Sequence, residues 1–215
     1  YGAIGNNWFR YFDLLVATAI TSSGQLSIRW IERALNVYLN KILNTEKVDY
    51  VIASDTDSVY ITFEKLVDNV FDEGTGTEKI VNFLDSVAKE KLEPFINNSY
   101  TLLAQEMNAY DQKMVMDREV IADKGVWTAK KRYILNVWDS EGVRYKEPKL
   151  KIMGIEAVKS STPAPCREKI KEALKIIMDG DEKMLNTFIQ EFRKEFMTLS
   201  PEEIAFPRSC NGVKK

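Results

Sequence analysis

The chain has 215 residues, 45% of them hydrophobic and 29% charged, with a formal net charge of −2; that is the profile of an ordinary globular protein long enough to bury a substantial core. It contains no histidine, which excludes Ser-His-Asp triads, Cys-His pairs, histidine general bases and most catalytic zinc sites. No apolar run approaches the roughly 18 residues of a membrane span, no signal peptide opens the sequence, and Cys166 and Cys210 fit no metal-ligand spacing. A cytoplasmic protein with reduced thiols and no membrane partner is expected, its chemistry resting on carboxylates, lysines, tyrosines or a metal held by oxygen.

The small net charge hides an uneven distribution. Residues 64–123 carry 13 acidic and 6 basic side chains, whereas residues 124–159 carry 9 basic and 4 acidic ones. A neutral total can thus conceal a basic face of the kind that binds phosphate backbones.

The opening YGAIGNNWFRYFDLL, with two glycines and close-set aromatics, reads as the middle of a protein rather than its start. Ile20, Gly24, Ser27, Ile31, Leu35, Tyr38 and Ile42 then recur at helical spacing and predict a long amphipathic helix over 18–43, its stripe packed on a core. Residues 48–63, VDYVIASDTDSVYITF, set two β-branched and aromatic runs around a small polar centre, the signature of a β-hairpin. Asp55 and Asp57 stand one residue apart at the bend, where strand alternation sends both side chains the same way. Like charges that close repel unless a cation lies between them, which suggests a divalent-metal site. A solvated Asp-rich turn accounts for the same residues.

Helices are predicted over 77–92, with Thr77 as a cap, and over 94–110, with Pro94 in the first turn. KMVMDREVI, residues 113–121, reads as a strand with Asp117 and Glu119 on one face. Further strands are predicted over 132–138, 143–146 and 149–154, the first two joined by a turn over 139–142. Lys130, Lys131, Arg132 and Tyr133 stand at the entrance to these strands; such a cluster is either a solvated face or a grip on a phosphate backbone. After Gly154 a Ser/Thr/Pro stretch leads to two amphipathic helices, with Gly180 as the stop between them. Their apolar faces need a partner surface, so a second domain begins here and is cut short. The expected fold class is α+β: an antiparallel sheet with helices packed on one face, followed by a partial, mostly helical domain.

YGAIGN, DTDS, KKRY and KLKIMGIEAVKSSTP, in that order across residues 1–163, together resemble family B DNA polymerases, with spacing similar to the replicative enzymes of T-even-type bacteriophages and their marine relatives. The resemblance implies the end of a fingers helix over 1–5, the C-terminal part of a palm domain over 6–154 and the start of a thumb over 155–215. It implies template-directed nucleotidyl transfer from dNTPs to a primer 3′-hydroxyl, with Asp55 and Asp57 as catalytic carboxylates holding two Mg²⁺ ions, for which Mn²⁺ can substitute, and Glu119 as a further acidic residue near that metal site. Tyr1, Gly2 and Ser58 would contact the incoming nucleotide. Lys130, Lys131, Arg132 and Tyr133 would hold the primer end, and Lys159 would touch the primer strand at the palm–thumb junction. Primer–template DNA and, in the parent enzyme, a sliding clamp are the implied partners, in the cytoplasm of an infected bacterial host.

The sequence also departs from that family. Its other metal-binding aspartate, its triphosphate-gripping fingers residues, its exonuclease domain and most of its thumb have no counterpart here, and the segment between Glu119 and Lys130 is shorter. The isolated chain is therefore expected to need the missing N-terminal polymerase regions, on the same or a separate chain, for synthesis. A primer–template-binding subunit of a split polymerase is the alternative. An aspartic protease, whose active-site turn also begins Asp-Thr, is set aside because Asp57 stands where that enzyme needs glycine and no second such turn exists.

Overall fold

The structure is a computed structural model that describes residues 2–209 and 212. Packing divides the chain into two compact units, Tyr1–Arg118 and Glu119–Lys215.

In the first unit the long apolar stripe becomes helix α1 (Leu14–Ile42). It starts earlier than the periodicity predicts because Asp13 caps it, accepting from the Val16 N–H at 3.0 Å and satisfying one of the orphan donors of the first turn. The hairpin follows as β1 (Val51–Asp55) and β2 (Ser58–Ile61), paired antiparallel with a bulge between Val51 and Ala53. Ile31, Leu35 and Leu39 of α1 meet Tyr50 and Val51 at the base of the hairpin.

The rest of that core comes from a helical insert: α2 (Glu64–Val70), α3 (Thr77–Val87) and α4 (Glu93–Glu106). Gly76 rather than Thr77 takes the cap position of α3. The two longer helices are joined by a π-helical stretch, Ala88–Leu92, not by a loop. Pro94 explains it: proline offers no N–H and its ring crowds the carbonyl four residues back, so the ladder widens to i→i−5 just before it. Ala88, Leu92, Ile96, Tyr100 and Leu103 complete the core, each large apolar side chain contributing about 1.5–3 kcal/mol by leaving water. One hydrogen bond and one ring stack fix α1 on α4: the Trp30 indole donates to the Ser99 carbonyl at 3.0 Å, and Tyr38 stacks on Phe95 with centroids 4.1 Å apart.

Of the strand expected over 113–121, residues 113–119 pair with no strand, and only Val120 and Ile121 enter one. Residues 111–118 form an arm hooked onto the insert instead. Arg118 ion-pairs with Asp85 at 2.5 Å, and its N–H donates to the Glu93 carboxylate at 3.3 Å. A strand needs a neighbour as well as alternation, and here charge pairing takes the backbone elsewhere.

The second unit is a three-stranded antiparallel sheet in the order β3-β4-β5 with helices after it: β3 (Val120–Ala129), β4 (Arg132–Ser140) and β5 (Val143–Met153). The two strands predicted over 143–154 are one. Pro148 lies where pairing jumps from Asp139↔Arg144 to Val137↔Lys149, an irregularity an edge strand tolerates because proline's missing donor is not needed there. The turn into β5 has Glu141 and Gly142 at φ 51° and 85°, and the buried Asp139 carboxylate accepts from the Gly142 N–H at 3.0 Å. Helix α5 (Ala164–Asp179) lays Leu174 and Met178 on Ile134 and Ala157, stopping at Gly180 as expected. Helix α6 (Glu182–Phe196) packs back on α5, with Lys169 paired to Glu195 at 3.2 Å and its ammonium 5.8 Å from the Phe188 ring. The fold is α+β as expected, with its antiparallel strands in two separate sheets. No helix among the described residues is long and apolar enough to cross a membrane.

Candidate functional site

Most of the expected site residues lie at two hairpin turns, one acidic in the first unit and one basic in the second.

At the acidic turn Asp55 pairs with Ser58, leaving Thr56 and Asp57 as the loop. The Asp57 N–H donates to the Asp55 carbonyl at 2.6 Å, a three-residue γ-turn with Thr56 at its centre, at φ 56°. A β-branched residue with positive φ is a true outlier, costing on the order of 1–3 kcal/mol, and such strain concentrates at functional positions. Local bonds hold the turn in this form: Thr56 Oγ1 donates to the Asp55 carboxylate at 3.0 Å, and Ser58 Oγ donates to the Asp55 carbonyl at 3.1 Å. Asp55 is half-buried at the end of β1, whereas Asp57 is exposed at the tip.

What aims this turn is a pair of asparagines on α1. Asn36 Oδ1 accepts from the N–H groups of Tyr50 and Val51 at 2.8 and 3.2 Å, and its amide donates to Asp49 at 2.7 Å. One helical turn on, Asn40 accepts from the Val48 N–H at 3.0 Å and donates to the Val48 carbonyl at 2.7 Å. Together they clamp the backbone entering β1 on the helix, with the Tyr50 hydroxyl closing the corner on Thr45 at 2.9 Å. Sequence reading missed both asparagines. The signal was present: two Asn at i, i+4 in a helix, where they lower helix propensity, ask for a compensating role.

The basic turn joins β3 to β4. Ala129 pairs with Arg132, leaving Lys130 and Lys131 exposed as the loop, with Lys131 at φ 62°. Tyr133 points the other way. It is buried beside its cross-strand partner Trp127, the rings 6.2 Å apart. The Arg132 Nε–H donates to the Gly154 carbonyl at 3.2 Å. Gly154 has φ +67°, and a Cβ there would run into the Lys131 carbonyl oxygen, so only glycine lets these backbones approach. The far end of the Arg132 guanidinium pairs with Glu156, and the same carboxylate oxygen accepts from the Lys159 ammonium at 3.0 Å. The cations expected from 132 and 159, distant in sequence, therefore converge on one acid that sequence reading did not select. The hydrogen bond from Lys159, with the backbone N–H of Glu156 and the positive charge of Arg132, holds the Glu156 carboxyl below the usual carboxylate range.

Of the remaining expected residues, Glu119 sits just before β3. Its carbonyl accepts from the Glu141 N–H at 2.7 Å, and its carboxylate ion-pairs with Lys151 of β5. Gly2 lies in an exposed turn, and Tyr1 falls outside the described residues. Among the described residues no three His, Cys, Asp or Glu side chains gather as a metal cage. Two carboxylates on one tight turn, with hydroxyl and carbonyl oxygens beside them, nonetheless suit Mg²⁺, which binds through one or two carboxylates and completes its shell with water and substrate phosphates.

No protein-family model matches the chain. Over its full length it is 46% identical to the DNA-directed DNA polymerase of Escherichia phage RB69 and 42% identical to that of Enterobacteria phage T4, each alignment running over 224 residues and taking in 25% of the relative. It is 28% identical over 166 residues to the DNA polymerase beta of African swine fever virus, covering 74% of this chain and 13% of that protein. An α+β fold with a strained Asp-Thr-Asp hairpin, joined to these similarities, places the chain among the family B DNA polymerases. Within that family it is related to the polymerases of T-even phages, and it spans about a quarter of the length of the curated relatives it matches.

Proposed function

We propose that this chain is the palm and the beginning of the thumb of a DNA-directed DNA polymerase, with the palm over 6–154, the end of a fingers helix over 1–5 and the thumb from 155. The observation that carries the reading is the DTDS turn: a sequence expected from the polymerase family, folded as a strained hairpin tip and clamped to α1. Asp55 and Asp57 would hold Mg²⁺, which when bound supplies the charge neutralisation that nucleotidyl transfer needs at the attacking and leaving oxygens. The protein's own part is positioning. Thr56 and Ser58 hold Asp55 in place, and Ser58, Gly2 and Tyr1 would contact the incoming dNTP. Lys130, Lys131, Arg132 and Lys159 hold primer–template phosphates, Tyr133 anchors their turn from beneath, and Glu119 is the further acid of the site. Residues of the parent enzyme outside this chain complete the metal shell, and the sliding clamp belongs to that parent. The reading puts the work in the cytoplasm of an infected bacterial host, in keeping with the phage source of the relatives.

Primer extension tests this. The chain is assayed with Mg²⁺ and dNTPs, alone and mixed with a polypeptide carrying the upstream polymerase motifs. Extension in the mixture, abolished by Asp57→Ala, is expected; extension untouched by that substitution removes Asp55 and Asp57 from the chemistry. The basic cluster at Glu156 favours a second reading, in which the chain alone is a primer–template-binding module. Affinity falling steeply with salt and no synthesis in either assay is its signature.

A further inference from the structure

Arg132 and Lys159 do not stand open to solvent as free cations; both spend their charge on the Glu156 carboxylate, through the same oxygen. The geometry around them is fixed. Arg132 is held from behind by the Gly154 carbonyl, Gly154 cannot be replaced without a backbone collision, and Glu156 opens a short 3₁₀ turn, Glu156–Val158, whose end delivers Lys159 back to it. All three side chains remain between 41% and 48% exposed, so a solvent-borne anion can reach them. A guanidinium and an ammonium converging on one anionic oxygen is also how a non-bridging phosphate oxygen is held.

We propose that Glu156 is a resident stand-in for a nucleic-acid backbone phosphate: it keeps Arg132 and Lys159 in binding geometry while DNA is absent, and a primer or template phosphate displaces it on binding. The inference rests on the DNA-binding reading above and adds to it a built-in competitor. In the free chain the trio carries one net positive charge; displacing the carboxylate exposes two. The acid thereby lowers affinity for any polyanion and reserves tight binding for a backbone whose phosphate reaches both cations at once.

The test is fluorescence anisotropy of the full chain with a labelled primer–template duplex across a salt series, comparing wild type, Glu156→Gln and the double substitution Arg132→Ala/Lys159→Ala. Gln keeps the shape of Glu and loses its charge, and circular dichroism checks each fold. Glu156→Gln is expected to bind on the order of 10-fold more tightly at low salt, with a log–log salt slope steeper by about 0.9, the signature of one more phosphate neutralised. The double substitution is expected to weaken binding and flatten the slope. If wild type binds with a clear salt slope but Glu156→Gln binds equally or more weakly, Glu156 is only a brace, and the inference fails while the DNA-binding reading stands. If neither wild type nor Glu156→Gln binds the duplex, both fail together.

Discussion

The two turns that carry the candidate chemistry are built alike and charged oppositely. Each closes an antiparallel hairpin with a two-residue loop, and each holds a non-glycine residue at positive φ, Thr56 at 56° and Lys131 at 62°. They differ in what steadies them. The acidic turn is braced on its backbone, by asparagines that seize the strand before it, so Asp57 reaches the tip exposed. The basic turn is braced through its side chains, with Arg132 drawn onto Gly154 and Glu156. A metal ligand has to be aimed before the ion arrives, which a backbone brace does. A phosphate grip tolerates an internal counter-ion that the ligand replaces.

The largest effect that can break this comparison is at the acidic tip. Asp57→Ala is expected to reduce primer extension by the complemented enzyme to background with folding unchanged, since an exposed tip residue contributes little to stability. Next comes its brace. Asn36→Ala leaves the Tyr50 N–H without its acceptor at a part-buried site, while the Val51 N–H keeps the Asp49 carboxylate, and should cost about 2 kcal/mol in urea unfolding. If Asn36→Ala unfolds like wild type, the hairpin is held by its apolar base alone. On the basic side, Gly154→Ala should cost about 2 kcal/mol, for a strained φ and a displaced Lys131 carbonyl, and should loosen the duplex as Arg132 loses its seat.

The smallest effect is on pH. Burial alone would raise the Asp85 pKa, but hydrogen bonds from Lys89 and Arg118 outweigh it and hold it below its ordinary 3.8. A carboxyl depressed in the folded state stabilises fully above its ordinary pKa, and that stability is lost as pH falls through the lower folded value. Acid unfolding of the first unit should therefore shift to higher pH in Arg118→Met. An unchanged acid transition would show that the 111–118 arm contributes nothing to holding the insert.

Much of this was legible in the sequence. The apolar stripe of α1, the hairpin at 48–63, the turn over 139–142 and the Gly180 stop follow from period, β-propensity and turn chemistry, which are local. What escaped was decided by distant partners. Residues 113–119 alternate like a strand, yet Arg118 finds Asp85 and Glu93, and no alternation pattern encodes that capture. The spans 143–146 and 149–154 read as two strands where β5 runs unbroken through Pro148, because sequence does not say that β5 lies at a sheet edge. Tyr133 read as a surface contact with its basic neighbours, but strand alternation turned it inward beside Trp127. At the site the charged residues announced themselves, whereas Asn36, Asn40 and Glu156, which aim them, are ordinary residues whose roles appear only when the backbone brings partners together.

The acidic turn is expected to take a divalent cation through Asp55 and Asp57. Paramagnetic broadening of backbone amide resonances on titration with Mn²⁺ tests it in the chain itself, independently of synthesis. Broadening centred on residues 55–58, and lost in Asp55→Asn/Asp57→Asn, is expected. Broadening that survives the double substitution, or that centres elsewhere in the chain, would contradict it.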